Sequence, residues 1–284
     1  MKTGLVLEGG AMRGMYTAGV LDVFLEENIQ VDGLVGVSAG AVFGCNYKSK
    51  QHGRSIRYNK KYCNDSRYVS IRSLITSGDI YNVKFDYDEL PNRLDLFDHD
   101  TFKENPMAFY TVCTDVKTGE PIYHLCGNDK EEDLLWMRAS ASMPIVSRPV
   151  KIGDSKYLDG GISDSIPIKW FQKMGYDRIL VVLTRPYGYR KQPSSKLMNI
   201  LVKKYPAIEE RMKNRAQNYN QTLDYIEKVS DDKTIMTLYP SKDLHIHRLE
   251  KDPNQLEAQY QLGRNDTLAL LPQIKNLFDE RYNP

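Results

Sequence analysis

The serine in the segment Gly36-Val37-Ser38-Ala39-Gly40 lies in a G-x-S-x-G pattern, the form of a nucleophile elbow. In an elbow the serine occupies a sharp turn between a strand and a helix, so that its hydroxyl is exposed for attack on a carbonyl group. Gly36 and Gly40 would let the strand and the helix approach closely at the bend. Five residues with three fixed positions also recur by chance, and a plain turn of small residues is an equal alternative on this pattern alone.

A second candidate element is the glycine-rich loop Gly9-Gly10-Ala11-Met12-Arg13-Gly14. A dinucleotide site would want a third glycine at Ala11 and an acidic residue about twenty positions later, at the end of the next strand. Ser38 and its neighbours stand there instead, which argues against a nucleotide. The loop would serve better as an oxyanion hole, in which the N–H groups of Gly10, Ala11 and Ala39 each contribute about 3 kcal/mol. A glycine turn without a ligand is the alternative.

A nucleophilic serine needs a base, and the chain offers histidines and one well-placed aspartate. The five histidines are in no signature context: His52, His99, His124, His245 and His247. A Ser…Asp…His triad that ends at His245 is formally allowed, although that fold places its nucleophile after more strands than precede Ser38. Asp159 ends a short strand and is followed by Gly160 and Gly161. Taken alone, this segment is more typical of a tight Asp-Gly turn.

The elements around these motifs predict a parallel sheet. Apolar runs at 3–7 and 33–37 flank a helical segment at 15–27, which is a βαβ unit with a right-handed crossover. Neighbouring parallel strands end at the same edge, so the glycine loop and Ser38 should lie side by side. Further strands are predicted at 108–113, 122–125, 149–152, 179–183 and 234–239. Further helices are predicted at 39–47, 131–140, after Pro167, and at 195–229 and 253–281.

Composition narrows the class of protein. The chain has 284 residues, of which 41% are hydrophobic, and no stretch approaches the ~20 apolar residues of a membrane span. The N-terminal residues read as a strand and not as a signal peptide. Cys45, Cys63, Cys113 and Cys126 form no C-x-x-C pair, which predicts reduced thiols in a cytoplasmic protein. Without a Cys/His ligand cluster we expect no metal and no cofactor.

The net charge of +2 hides two basic segments. Residues 48–72 hold eight Lys or Arg against one Asp, and residues 185–215 hold nine against two Glu, with tyrosines among both. A solvated helix face is the usual explanation of such a run. The alternative is a lid or a docking surface for an anionic membrane, where each cation contributes about 1 kcal/mol. No recognition motif for nucleic acid is present, so no nucleic-acid partner is expected.

Three motifs in order, at 9–14, 36–40 and 159–161, resemble the patatin-like phospholipase family. The flanking segments at 18–21, 139–144 and 162–167 agree, and the resemblance covers roughly residues 4–184. It implies a three-layer α/β/α sandwich with a mainly parallel central sheet. It also implies a catalytic domain at 1–184, followed by a helical extension with one added strand at 185–284. The extension is most similar to a bacterial branch of this family.

The resemblance implies a serine–aspartate dyad without histidine, in which Ser38 is the nucleophile and Asp159 the base. The implied oxyanion hole comprises Gly9, Gly10, Ala11, Met12, Arg13, Gly14 and Ala39, and the motifs are supported by Gly36, Gly40, Gly160 and Gly161. Two residues depart from the family pattern. Ala11 replaces a common glycine, and the hole survives this change if the φ of Ala11 is negative. Glu8 would oppose a developing negative charge unless its side chain points away.

We therefore predict a serine acyl hydrolase that acts on phospholipid or other acyl lipid esters and needs no metal or cofactor. Two other classes remain open at this point. One is an esterase, thioesterase or acyltransferase that acts on soluble acyl donors with the same dyad. The other is a binding protein that has kept the scaffold without the activity. We expect a cytoplasmic protein with peripheral contact to anionic membrane through residues 48–72 and 185–215.

Overall fold

The computed structural model describes residues 1–195, 201–231 and 233–278. The strands are β1 (Lys2–Leu7), β2 (Gly33–Val37), β3 (Ala108–Asp115), β4 (Pro121–Cys126), β5 (Val150–Ile152), β6 (Ser155–Asp159), β7 (Tyr176–Val182) and β8 (Ile235–Leu238). The α-helices are α1 (Met15–Glu26), α2 (Ala39–Lys48), α3 (Arg54–Tyr62), α4 (Ile71–Ser77), α5 (His99–Glu104), α6 (Lys130–Ser140), α7 (Ile168–Lys173), α8 (Pro206–Val229), α9 (Pro253–Ala269) and α10 (Leu271–Phe278). A wide helical segment covers Phe85–Leu94.

The eight strands form one mixed sheet. Its order is β5-β6-β3-β2-β1-β7-β8, and β4 pairs with β3 as well. The run from β3 through β2, β1 and β7 to β8 is parallel, while β4, β5 and β6 pair antiparallel. Strands β1 and β2 are direct neighbours, in register from Gly4 opposite Gly33 to Leu7 opposite Gly36. The loops that follow β1 and β2 therefore lie next to each other, as the βαβ pattern predicts.

Helices cover both faces of this sheet, which makes the fold the predicted α/β/α sandwich. Side chains alternate along the central strands because successive residues of a strand point to opposite faces. Leu5 and Leu34 belong to the cluster with α1, α2, α6 and α10. Val6 and Val35 belong to the cluster with α7 and α8 on the other face. No helix of the described residues has the length and apolar character needed to cross a membrane.

The C-terminal helices pack directly on the part that carries the motifs. A Cβ on Gly19 of α1 would lie 2.1 Å from the carbonyl oxygen of Tyr260, and one on Gly263 of α9 would lie 2.0 Å from that of Tyr16. The two helices therefore touch backbone to backbone, and only glycine fits at these two crossing points.

The predicted elements appear with small changes of boundary. The sequence predicts one helix over 195–229, but α8 begins only at Pro206, and residues 196–200 lie outside the described part. The helical segment predicted at 253–281 consists of two helices that meet at Leu270, and its last three residues are outside the described range. All four cysteines are buried and free of disulfides.

Candidate active site

Ser38 occupies the turn between β2 and α2 with φ 55° and ψ −120°. This conformation is strained for a residue with a side chain and is typical of a nucleophile elbow. Gly36 and Gly40 make the bend fit, because a Cβ on Gly36 would meet Ala41 N at 2.6 Å and one on Gly40 would meet Leu7 O at 2.4 Å.

A buried hydroxyl holds the elbow in place. The Ser38 N–H donates to Oγ of Ser140 over 2.9 Å, and Ser140 Oγ donates in turn to the carbonyl of Val112 over 2.7 Å. Ser140 is fully buried at the end of α6. Ser140 lies in the segment 139–144 that flanks the motifs, and no sequence pattern gives it a role. Its contact across 102 residues is invisible to local patterns.

The glycine loop runs directly beside Ser38. A Cβ on Gly9 would stand 2.8 Å from the Ser38 Cβ, so this position tolerates no side chain. Two of the predicted N–H donors are already used, since Met12 donates to Arg248 O over 3.4 Å and Arg13 donates to Gly10 O over 3.2 Å.

The N–H groups of Gly9, Gly10 and Ala11 meet no acceptor in the described ranges. Ala11 has φ 50°, so the condition under which this alanine was expected to keep the oxyanion hole, a negative φ, is not met. The alanine adopts the left-handed conformation of a glycine, and its N–H is nevertheless unengaged. Gly14 has a packing role, because a Cβ there would meet the Phe43 ring at 2.8 Å. Ala39 is the first residue of α2, a position whose N–H has no partner within the helix.

Asp159 ends β6 and shares the cavity that contains Ser38. Its Oδ1 accepts from the Gly161 N–H over 2.7 Å, and its own N–H donates to Ser142 O over 2.9 Å. Gly160 lies against β3, where a Cβ would be 2.2 Å from Val112 O. The carboxyl is only 2% exposed, and its Oδ2 is buried with no hydrogen-bond partner in the part of the chain that the structure describes.

Burial raises the pKa of Asp159 above its usual value. The nearby Ser38 hydroxyl opposes this shift most strongly, followed by the Arg215 guanidinium and the Gly161 N–H. A carboxylate with a raised pKa is a stronger base than a free aspartate, and proton transfer at neutral pH needs such a base. Asp159 and Ser38 line the same cavity.

The cavity next to Ser38 and Asp159 is strongly charged. It measures about 550 Å³ with its open mouth included. Five cationic side chains line it: Arg13, Arg185, Lys191, Arg215 and Arg248. Glu8 also lines it, contrary to the expectation that a working oxyanion site would need this carboxylate to point away. Its Oε1 accepts from the Tyr219 hydroxyl over 2.7 Å, and its Oε2 accepts from Thr184 N–H over 2.7 Å.

A second pocket opens on the other side of Ser38 and is mainly apolar. Its volume is about 800 Å³ with open solvent included, within the roughly 300–1,000 Å³ of small-molecule sites. Its wall includes Met12, Val42, Phe43, Leu90 and several tyrosines. The Asp86 carboxyl is buried there, and burial raises its pKa well above the usual range, which favours the neutral acid. The two pockets share Ala11 and Ser38.

None of the five histidines lines either pocket, and all five lie in the described ranges. The His245 side chain is 88% exposed and faces Asp243 at 3.7 Å. A triad through His245 is therefore not assembled, and Asp159 is the group that the fold brings to Ser38.

A cluster outside this site offers metal-ligating atoms. His124, Cys126 and Asp133 bring a nitrogen, a sulfur and a carboxylate oxygen within 4.8 Å of one another. His124 and Cys126 share one face of β4, and Asp133 comes from α6. No sequence pattern indicates this grouping, because the strand and the helix meet only in the fold. In the described residues Asp133 Oδ2 already accepts from Gly127 N–H over 2.8 Å, which leaves its other oxygen as the open one.

Part of the first basic segment, 48–72, is used for packing, although six of its eight cations are exposed. Tyr58, Tyr62 and Tyr68 are buried in the core. Lys48 is also buried and donates to Asn105 O, while Arg54 pairs with Asp95 at 3.3 Å. These residues are not a free basic surface. Peripheral membrane contact stays a prediction that concerns the exposed cations of both segments.

Comparison with known sequences gives two family matches. A model described as patatin-like phospholipase matches residues 5–171, and a model described as a domain of unknown function (DUF6363) matches residues 205–279. Among relatives, the Escherichia coli K12 protein "Uncharacterized protein YjjU" is 29% identical over 98% of this chain and 79% of its own length. Lysophospholipase nte1 of Aspergillus fumigatus is 26% identical over 63% of this chain.

The match to the fungal protein covers 12% of that protein's length. An uncharacterized NTE family protein of Mycobacterium tuberculosis is 26% identical over 58% of this chain and 27% of its own length. Among solved structures, VipD from Legionella pneumophila aligns with a TM-score of 0.48 and 13% identity, over 95% of this chain and 67% of VipD.

Proposed function

The chain belongs to the patatin-like phospholipase family, and on this premise we propose that it hydrolyses acyl esters of lipids through a Ser38–Asp159 dyad. Support comes from the family match over more than half of the chain and from similarity to a fungal lysophospholipase over 63% of it. The site needs neither a metal nor a cofactor for this chemistry.

In the first half of the reaction, Ser38 Oγ attacks the ester carbonyl carbon, and the hydroxyl proton passes to the free Oδ2 of Asp159. The carbonyl oxygen becomes an oxyanion. As the tetrahedral intermediate collapses, the bond to the alcohol breaks, and the leaving oxygen takes the proton from Asp159. An acyl-serine remains.

In the second half, water loses a proton to Asp159 and attacks the acyl-serine. The bond between the acyl carbon and Ser38 Oγ then breaks, and Asp159 returns the proton to the serine. Asp159 therefore acts as base and acid in alternation, as a single proton carrier must in a dyad.

The open N–H groups of Gly10, Ala11 and Ala39 are the proposed donors to the oxyanion. Each such donor is typically worth about 3 kcal/mol in the transition state. Met12 and Arg13 are left out of this proposed set because their N–H groups have other acceptors.

The observation that carries the proposal is the strained φ of 55° at Ser38 within a cavity that Asp159 shares. Backbone strain of this kind persists where the surrounding structure enforces it, and it is concentrated at active sites. A simple strand-to-helix turn gives no reason to place a serine in this conformation beside an unpaired, buried carboxylate oxygen.

The apolar pocket favours a lipid over a small soluble ester. Each CH₂ group of an acyl chain buried there contributes roughly 0.8 kcal/mol to the binding free energy. A short acyl group lacks most of this contribution. A thioesterase or acyltransferase with the same dyad is the alternative, since thioester and ester carbonyls meet the same nucleophile. A panel of long-chain lipids, short-chain esters and acyl thioesters separates the two by their kcat/KM values.

Labelling with a fluorophosphonate probe tests the nucleophile directly. We expect the probe to modify the wild-type protein and Ser66→Ala, which changes an exposed serine, but not Ser38→Ala. Labelling of Ser38→Ala at the wild-type rate would refute the assignment. A wild-type protein that is folded but neither labelled nor active on any ester of the panel would instead be a binding protein on this scaffold.

A further inference from the structure

The charged cavity beside Ser38 has more cations than the proposed mechanism uses. Among the residues that the structure describes, five cationic side chains line it, whereas Glu8 and Asp159 are its only carboxylates. Four of the five cations follow residue 184: Arg185, Lys191, Arg215 and Arg248. They therefore come from outside the region that the phospholipase model matches. Charged groups withdrawn from water are costly unless an opposite charge accompanies them.

The two carboxylates do not neutralise these cations by contact. Glu8 is 4% exposed and is satisfied by neutral donors, the Tyr219 hydroxyl at 2.7 Å and the Thr184 hydroxyl at 3.0 Å. Within the described ranges no ion pair of 4.0 Å or less joins Glu8 or Asp159 to any of the five cations. Arg185 pairs loosely with Asp243 at 3.7 Å.

Several of the cationic groups have donors to spare. Arg13 Nε and Arg185 Nε are buried and have no hydrogen-bond partner among the described residues. Arg215 Nε donates to the Gly161 carbonyl and leaves its other N–H groups to the cavity. The Lys191 ammonium lies 4.1 Å from the centre of the Tyr219 ring, a cation–π contact that provides no counter-charge.

Burial and the neighbouring like charges both shift the pKa values of two of these cations. Burial, and after it the neighbouring Arg215 guanidinium, lower the pKa of Lys191 to about 7. Burial and the neighbouring Arg185 lower the pKa of Arg13 to about 10. An anion in the cavity would reverse both effects, because it stabilises the charged form of each group.

We propose that this cationic cavity is a subsite for an anionic group, a phosphate or a carboxylate, that the ester substrate carries on its alcohol side. The inference rests on the proposed hydrolase function and adds a substrate class to it. With the acyl chain in the apolar pocket and Ser38 between the two pockets, the alcohol part of the ester enters the charged cavity. The preferred substrates are then lysophospholipids with a phosphate near the ester, in preference to neutral monoacylglycerols.

Arginine and lysine suit this task in different ways. Arginine donates two parallel hydrogen bonds to phosphate or carboxylate oxygens, and lysine acts as a point charge. The C-terminal part of the chain therefore selects the substrate, while the dyad and the glycine loop do the chemistry.

The test compares two esters with the same acyl chain, oleoyl-lysophosphatidic acid and mono-oleoylglycerol. We expect wild-type kcat/KM to favour the anionic ester by about tenfold or more, the effect of one charge-assisted hydrogen bond or more. In Lys191→Met and Arg248→Gln this preference should fall by a similar factor, mainly through KM. Arg190→Met is the matched control, because Arg190 pairs with Asp224 at 2.6 Å and does not line the cavity. Its preference should equal that of the wild type.

Equal activity of the wild type on both esters would overturn the subsite while leaving the hydrolase function intact. Absence of fluorophosphonate labelling at Ser38 in the wild-type protein would instead count against the hydrolase function itself. Inorganic phosphate is the third ligand in the test, since a free anion can bind to the same cations. Phosphate should compete with the anionic ester in the wild type and less well in Lys191→Met. Inhibition by phosphate without any preference for the anionic ester would mean that the cavity binds a free anion, which would refute the headgroup role.

Discussion

Replacement of Ser140 by alanine tests whether a buried hydroxyl holds the catalytic elbow. The Ser140 Oγ accepts from the Ser38 N–H over 2.9 Å and donates to Val112 O over 2.7 Å, in a fully buried position. Ser140→Ala leaves two buried backbone groups without this partner. Each orphaned group costs about 1–3 kcal/mol, so the expected loss in free energy of unfolding is about 2–6 kcal/mol.

The functional effect should exceed the loss of folded protein. Ser38 depends on this hydrogen bond to stay at φ 55°, and without it the strained turn relaxes toward a commoner conformation. We expect the fluorophosphonate labelling rate of the folded variant to fall about tenfold or more, at a temperature well below its unfolding midpoint. Urea unfolding gives the stability, and the labelling rate gives the geometry of the elbow.

The matched control is Ser142→Ala, two residues beyond the end of α6 and also buried. The Ser142 hydroxyl donates to Arg138 O over 2.8 Å and makes no contact with Ser38, so its loss should lower stability without slowing the labelling of folded protein. A free energy of unfolding for Ser140→Ala within about 0.5 kcal/mol of the wild-type value, the size of a typical surface substitution, would refute this role of Ser140. Labelling of the folded variant at the wild-type rate would equally refute it.

Two further predictions follow from the site and the packing. Asp159→Asn should lower kcat by about 10²–10⁴-fold relative to the exposed control Asp154→Asn. Wild-type activity should fall as the pH is lowered, with a midpoint above the free-aspartate pKa of about 3.9, because the base must be deprotonated. Because the folded pKa of Asp159 is raised, its contribution to stability is present at low pH and lost as the pH rises through that pKa, so Asp159→Asn should gain stability relative to the wild type as pH increases. Gly263→Ala should cost about 2–3 kcal/mol in urea unfolding, because its Cβ would lie 2.0 Å from Tyr16 O, whereas the exposed Gln261→Ala should have little effect.

Local patterns predict the framework of this protein well. The strand bounds Gly33–Val37 agree with the structure, and the βαβ unit brings the glycine loop beside Ser38 as expected. The reason is that a buried parallel strand and the helix after it leave a strong apolar signal over few residues. The condition of a negative φ at Ala11 is not met, because the turn imposes its own geometry on the residue.

The groups that complete the site come from distant parts of the chain. Lys191 and Arg215 appear in the sequence as part of a solvated basic run, yet they converge on one cavity. Ser140 and Thr184 make their contacts across 102 and 176 residues. Nothing in a local window encodes such pairs, since they depend on sheet order and on the way that α8 crosses the site.

The central position of β1 has a consequence for how the protein is made. One edge of β1 pairs with β2, only 29 residues later at Gly33, but the other edge pairs with β7, where Lys2 meets Tyr176. At a synthesis rate of about 5–20 residues per second, the second edge waits roughly 10–35 s for its partner strand. An unpaired parallel edge is prone to aggregation while it waits. The nascent chain therefore leaves one edge of this central strand unpaired for much of its synthesis, and chaperone dependence in the cell would begin at this edge.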